Sequence, residues 1–135
     1  MSEYRKPLPT ITTESRPFWE ACRQHQLLVQ RCRGCGALQY YPRGACARCW
    51  SEELEWRKSS GRGRVYTFTV THRTQTQGFK DEVPYVLAYV ELEEGVQVLT
   101  NLVGCAPEEV QIGMPVAVAF EDVSDETSIP RFAPA

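Results

Sequence analysis

Hydrophobic and polar positions change rhythm twice along the chain. Phe18, Ala21, Cys22 and His25 fall at i, i+3, i+4 and i+7, the spacing of one helical stripe. Pro17 suits a first helical position and Ser15 stands just before it, so a short helix is expected to end near Gln26. Leu27, Leu28 and Val29 predict a strand that feeds into Cys32. After Lys58 the run SSGRGR reads as a flexible hinge, and the rhythm turns to that of β-structure. In RVYTFTVTH, Tyr66, Phe68 and Val70 alternate with Thr67, Thr69 and Thr71, the period of a half-buried strand. YVLAYVEL is apolar enough for a well-buried strand, and Glu93-Glu94-Gly95 connects it tightly to VQVLTNLV, which predicts a hairpin. APEEVQIG can form one helical turn before the strand PVAVAFEDV, and IPRF supplies a last short strand.

Four to five strands over roughly 70 residues, interrupted by one helical turn, fit a small Greek-key barrel of the OB type. A sandwich of the same strand count is the alternative. The expected organisation is an arm and helix over residues 1–26, a cysteine-rich ribbon over 27–57 and a barrel over 58–135. The class is therefore mainly β with one N-terminal helix.

Composition narrows the setting. Of 135 residues, 42% are hydrophobic and 24% charged. No run approaches the roughly 20 apolar residues that cross a bilayer, and the start, MSEYRKPLPTITTESRP, lacks the apolar core of a signal peptide. The cytoplasm is the expected location, where paired cysteines mean metal or redox chemistry rather than disulfides. The net charge of −2 hides a polarity. Residues 1–80 carry fourteen Lys and Arg against six Asp and Glu, a balance of +8, and residues 81–135 carry Arg131 against eleven acids, a balance of −10. Either each half meets a charged partner, or the halves fold side by side and partly neutralise each other.

The stretch RCRGCGALQYYPRGACARCW holds two C-x-x-C pairs, Cys32 with Cys35 and Cys46 with Cys49, ten residues apart. Two such knuckles can face one ion tetrahedrally, a donor set that Zn²⁺ favours. Gly34 and Gly36 let the first knuckle turn tightly enough for amide N–H groups to point at sulfur. Four thiolates fill the shell and leave no open position, so the expected metal is structural zinc, with rubredoxin-type iron and electron transfer as the alternative.

Other chemistry is sparse. Cys22 lies on the helical stripe and Cys105 ends an apolar strand, which reads as buried, inert thiols rather than nucleophiles. His72 closes a strand beside a polar loop, a place from which it could touch a ligand, and reads first as an ordinary exposed or half-buried histidine. No glycine-rich phosphate loop, H-E-x-x-H or G-x-S-x-G occurs. Arg31, Arg33, Tyr40, Tyr41, Arg43, Arg48, Trp50, Trp56 and Arg57 interleave cations with aromatics. Such a surface can bind single-stranded nucleic acid, the phosphates of coenzyme A or an acidic partner, though the acidic second half opposes nucleic acid. For most of the aromatics, packing around the ribbon is the expected role.

The blocks FWEACRQHQLLVQRCRGCG, YYPRGACARCW, GRGRVYTFTVTHR, GFKDEVPYVLAYVELEEGVQVLTNLVGC and IGMPVAVAFEDV, in that order, resemble the acyl-CoA-associated zinc-ribbon and OB-fold family, long filed as a domain of unknown function. The resemblance runs from about Pro17 to Arg131. It implies a rubredoxin-like ribbon with zinc on Cys32, Cys35, Cys46 and Cys49, an OB barrel, and a non-catalytic subunit of a thiolase-superfamily enzyme. It implies partners such as thiolases, phloroglucinol-type acyltransferases or the thiolase-like aldolases of steroid side-chain degradation, with the small chain scaffolding the larger or bordering its acyl-CoA channel. A heterotetramer built on the partner's dimer is expected, docked through ribbon and arm. Ala47 stands where the family often has proline after the first cysteine of the second knuckle; proline there only stiffens the turn. On the barrel, Phe79 and Lys80 in GFKDEVPY are the expected contacts for coenzyme A or the partner.

Overall fold

The computed structural model describes residues 4–135; the first three residues of the expected arm lie outside that range. Helix α1 (Arg16–Arg23) opens with Pro17 in its first turn and buries Phe18, Trp19, Ala21 and Cys22. The Ser15 hydroxyl does not cap it, and instead accepts from the Thr12 N–H at 2.9 Å. The helix stops earlier than its stripe suggests. His25 takes a left-handed φ of 58°, closing the end while its N–H donates to the Cys22 carbonyl. Its ring therefore leaves the buried face, stacks on Phe120 at 5.1 Å and meets Asp122 Oδ1 at 2.9 Å.

Strands β1 (Leu28–Cys32), β2 (Leu38–Gln39) and β3 (Leu54–Lys58) form an antiparallel sheet in the order β2-β1-β3. The barrel follows with β4 (Arg62–Thr71), β5 (Tyr85–Leu92), β6 (Gln97–Leu102), β7 (Pro115–Asp122) and β8 (Ser128–Pro134), closed in the order β4-β5-β6-β8-β7. One 3₁₀ turn, Pro107–Glu109, lies between β6 and β7. A parallel β6–β8 contact, Leu102 against Phe132, completes the closure. This is the five-stranded OB barrel, not the sandwich. Each of the five barrel strands thus has a neighbour on both sides.

Valines fill the barrel: Val65, Val86, Val90, Val98 and Val116 are buried beside Leu92, Leu102 and Phe132. Phe18, Trp19, Cys22, Leu27 and Val29 belong to the same buried cluster, so helix and ribbon share a core with the barrel. Two strand readings are corrected here. A bulge between Val65 and Thr67 sets Val65 opposite Val90 and Thr67 opposite Tyr89, leaving Tyr66 as the extra residue. Val65 turns inward, and Tyr66, grouped by its alternation with Phe68 and Val70, is 53% exposed. On β5 only Val86, Ala88, Val90 and Leu92 are buried; Leu87 and Tyr89 face out, next to the exposed Leu99 of β6.

The expected hinge is not loose. Ser59 is buried, its N–H donates to the Leu27 carbonyl at 2.8 Å and its hydroxyl donates to Glu94 at 2.8 Å. Ser60 gives its N–H to Glu94 and its hydroxyl to Glu93. A buried hydroxyl needs a partner, and Glu94 of the β5–β6 turn supplies it for Ser59. The basic and acidic halves also meet through Lys6–Glu82 at 2.8 Å and the His25–Asp122 contact. No helix among the described residues is long and apolar enough to cross a membrane.

Candidate metal centre

The two knuckles are built alike. In the first, the Cys32 N–H donates to the Ala37 carbonyl at 2.8 Å, and the Cys32 carbonyl accepts from the Gly36 N–H at 2.9 Å. In the second, the Cys46 N–H donates to the Ser51 carbonyl at 2.8 Å, and the Cys46 carbonyl accepts from the Trp50 N–H at 2.9 Å. Each loop turns its amides toward sulfur. The Cys35 N–H lies 3.4 Å from Cys32 Sγ, and the Arg48 and Cys49 N–H groups lie 3.3 and 3.5 Å from Cys46 Sγ. Both turns end left-handed, at Gly36 with φ 78° and at Trp50 with φ 69°. For a residue with a Cβ that conformation costs about 1–2 kcal/mol.

The four sulfurs converge. Cys32 and Cys49 are 3.5 Å apart, Cys35 and Cys46 3.6 Å, and all four lie within 4.8 Å of one another. Sulfurs bound at about 2.3 Å to one tetrahedral ion stand about 3.8 Å apart, so the cage is close to the size a metal requires. Its protonation points the same way. Hydrogen bonds led by the Cys35 N–H bring the Cys32 thiol down to about 6, and those of the Cys49 and Arg48 N–H groups lower Cys46. Cys49 goes up to about 12: the Ser51 N–H works the other way, but sharing with the Cys32, Cys35 and Cys46 sulfurs outweighs it. Four thiolates cannot crowd together without a cation among them, and a divalent ion removes that conflict.

Two residues that the motif does not reveal hold the knuckles in place. Buried Gln30 accepts from the Arg43 N–H at 2.9 Å and donates to the Arg43 carbonyl at 3.1 Å. Gln39 donates to Gln30 at 2.8 Å and accepts from the Ala47 N–H at 3.0 Å. The second knuckle is thereby tied to β1 and β2. A glutamine inside the apolar approach LLVQRC was the available signal, since a polar side chain there must be satisfied. On the ribbon surface Glu55 collects Arg57 at 2.8 Å, Arg31 at 3.7 Å and Arg33 at 3.8 Å, and the Arg57 hydrogen bond holds its carboxyl below the ordinary range.

Cys22, Cys105 and His72 are not among the cage ligands. Cys22 is buried and its thiol is pushed up to about 12 by that burial; Cys105 is also raised, by burial first and the Glu109 charge second. Neither is an activated nucleophile. His72 is exposed. Tyr40 packs edge-on against Phe18 at 5.6 Å and Trp56 lies against the core, but Trp50 is 82% exposed. Phe79 lines a cleft of about 520 Å³ at one end of the barrel, with Tyr85, Phe120 and Arg131 among its walls. The cation beside Phe79 is Lys6 of the arm, 4.7 Å above the ring; Lys80 is exposed and stands outside the cleft lining.

Comparison with known proteins follows this architecture. A family model described as "ChsH2, rubredoxin-like zinc ribbon domain" matches residues 19–55, and one described as "ChsH2, C-terminal OB-fold domain" matches residues 56–121. A solved chain titled "Ltp2-ChsH2(DUF35) aldolase" is 38% identical with a TM-score of 0.82, over 94% of this chain and 98% of that one. A "DUF35 domain-containing scaffold protein" of Methanocaldococcus jannaschii is 36% identical over 80% of this chain and 77% of its own length. A "Probable enoyl-CoA hydratase alpha subunit" of Thermomonospora curvata is 38% identical over 96% of this chain, which spans 40% of that longer protein.

Proposed function

Because the chain belongs to the ChsH2 (DUF35) zinc-ribbon and OB-fold family, we propose that it is a non-catalytic accessory subunit of a thiolase-superfamily enzyme acting on acyl-CoA. The carrying observation is the match across 98% of a chain from the Ltp2-ChsH2(DUF35) aldolase. The cage supports it from within. Four converging cysteines would fill a tetrahedral shell and leave no position for water or substrate, which suits structural Zn²⁺ better than a catalytic ion. Two copies of the chain on the partner's dimer, in the cytoplasm, are the arrangement this reading takes, with the reacting groups on the larger subunit. The cleft beside Phe79, with Lys6 in the place given to Lys80, is where the barrel would border the acyl-CoA.

The test is affinity purification of the tagged full chain from its own cells, with co-purifying proteins identified by mass spectrometry and metals by elemental analysis. A thiolase-superfamily chain in equimolar amount and one zinc per copy are expected. Recovery with nucleic acid, with iron, or alone beside a partner that is soluble and fully active without it would overturn the reading.

A further inference from the structure

The two knuckles provide an internal standard. Matched on their hydrogen bonds, Cys32 corresponds to Cys46, Gly34 to Arg48, Cys35 to Cys49 and Gly36 to Trp50. Where each chain must turn left-handed, the first knuckle uses glycine and the second uses tryptophan. Glycine adopts that conformation without steric penalty, and a bulky side chain does not. A buried indole could offset the strain through packing. Trp50 is 82% exposed, so packing of its indole among the described residues does not offset it. Strain of this kind gathers at working positions.

Its surroundings have the composition of an interface. Tyr41, 49% exposed, lines an open cleft of about 580 Å³ with Trp50, Pro42, Arg43 and Glu14. Arg43 and Arg48 are exposed and make no ion pair among the described residues. Tryptophan, tyrosine and arginine are the residue types that dominate binding energy between proteins. We propose that Trp50 is the anchor by which the second knuckle docks into an apolar pocket of the larger thiolase-type subunit, with carboxylates at its rim to meet Arg43 and Arg48. The inference rests on the subunit reading above and adds to it the contact point. A stacked nucleobase is the competing occupant, but residues 81–135 of the barrel that shares a core with the ribbon carry a balance of −10 and would repel a phosphate backbone running past them.

The pseudo-symmetry supplies a discriminating variant. Trp50→Gly restores the residue the first knuckle already uses, so it should keep metal content and should not lower the melting temperature. Binding to the co-purified thiolase-type chain, produced separately and titrated with the full-length variant, should weaken about 30-fold or more, the loss expected for a dominant anchor. Trp50→Phe should retain part of the affinity. If the wild-type chain does not bind that partner, the subunit reading fails and the anchor with it. If wild type and Trp50→Gly bind equally, the anchor is overturned and the subunit reading stands. Loss of metal or stability in Trp50→Gly, or single-stranded DNA binding that the substitution abolishes, would also overturn it, by making Trp50 a structural residue or a base-stacking platform.

Discussion

Ribbon and barrel reach a fixed structure by different means. The barrel closes five strands of six to ten residues over a core of valines, Leu92, Leu102 and Phe132. The ribbon has strands of five, two and five residues, and its fully buried side chains are few: Leu27, Val29, Cys32 and Cys46. So small a sheet cannot hide enough apolar surface to offset the entropy of ordering its loops. Its order must come from the cage and from the glutamines and helix packed against it. Burial supports one region in many small increments. Convergence of four sulfurs supports the other in one step.

The largest effect should therefore come from the cage. Cys46→Ser, or exhaustive chelation, removes a metal contribution on the order of 10 kcal/mol from the ribbon. Amide hydrogen exchange reads the result residue by residue. The Cys32, Gly36, Cys46 and Trp50 amides, each hydrogen-bonded in a knuckle, should lose protection, while the barrel amides of Leu92 and Val103 keep theirs. Equal loss in both regions would break the comparison, and would mean that the core shared through Phe18 and Trp19 makes one cooperative unit.

The converse experiment is smaller and sharper. Phe132 is fully buried on β8, opposite Leu102 and Val118. Phe132→Ala should destabilise the barrel by about 3–5 kcal/mol, the range for emptying an aromatic core site. It is measured as a lower denaturation midpoint. Metal content and the knuckle amides should be unchanged below the transition. Loss of metal at denaturant concentrations that leave the barrel folded would show that the ribbon depends on barrel packing more than on its own ion.

The same contrast governs what could be read from the sequence. The cage was legible because its determinant is local: two C-x-x-C pairs at a fixed separation specify the knuckles almost unaided. The strand sequence of the barrel was legible from alternation, but a sandwich of the same strand count fits that pattern too, and it was the family resemblance that implied closure. Three features escaped, each decided by a distant residue. The bulge that exposes Tyr66 is fixed by the register of β4 on β5, which places Val65 opposite Val90. The hinge reading of SSGRGR failed because Glu93 and Glu94, far along the chain, clasp both serines. His25 left its stripe because the helix ended one turn early, and Phe120 and Asp122 of β7 received the ring. Period and spacing carry no record of such partners.

The smallest prediction concerns the joint between helix and barrel, where His25 meets Asp122. The Asp122 carboxyl lies below its ordinary value of 3.8, chiefly because it is hydrogen-bonded to His25. A depressed carboxyl adds stability above its unfolded-state value and loses it as the pH falls through the folded-state value, so the joint should weaken in acid, below about pH 4. The pair is more than half exposed on both sides, 52% for His25 and 64% for Asp122, so its share of the total is slight. The measurement that isolates it is an NMR titration of the Asp122 side-chain carbon. In His25→Ala the midpoint should move up toward the ordinary aspartate value, and the melting temperature should lie slightly under that of wild type near about pH 5, with the gap narrowing in stronger acid. A midpoint that stays low without the imidazole would mean that His25 does not hold the carboxylate. Helix and barrel would then be joined by the stacked ring and the shared core alone.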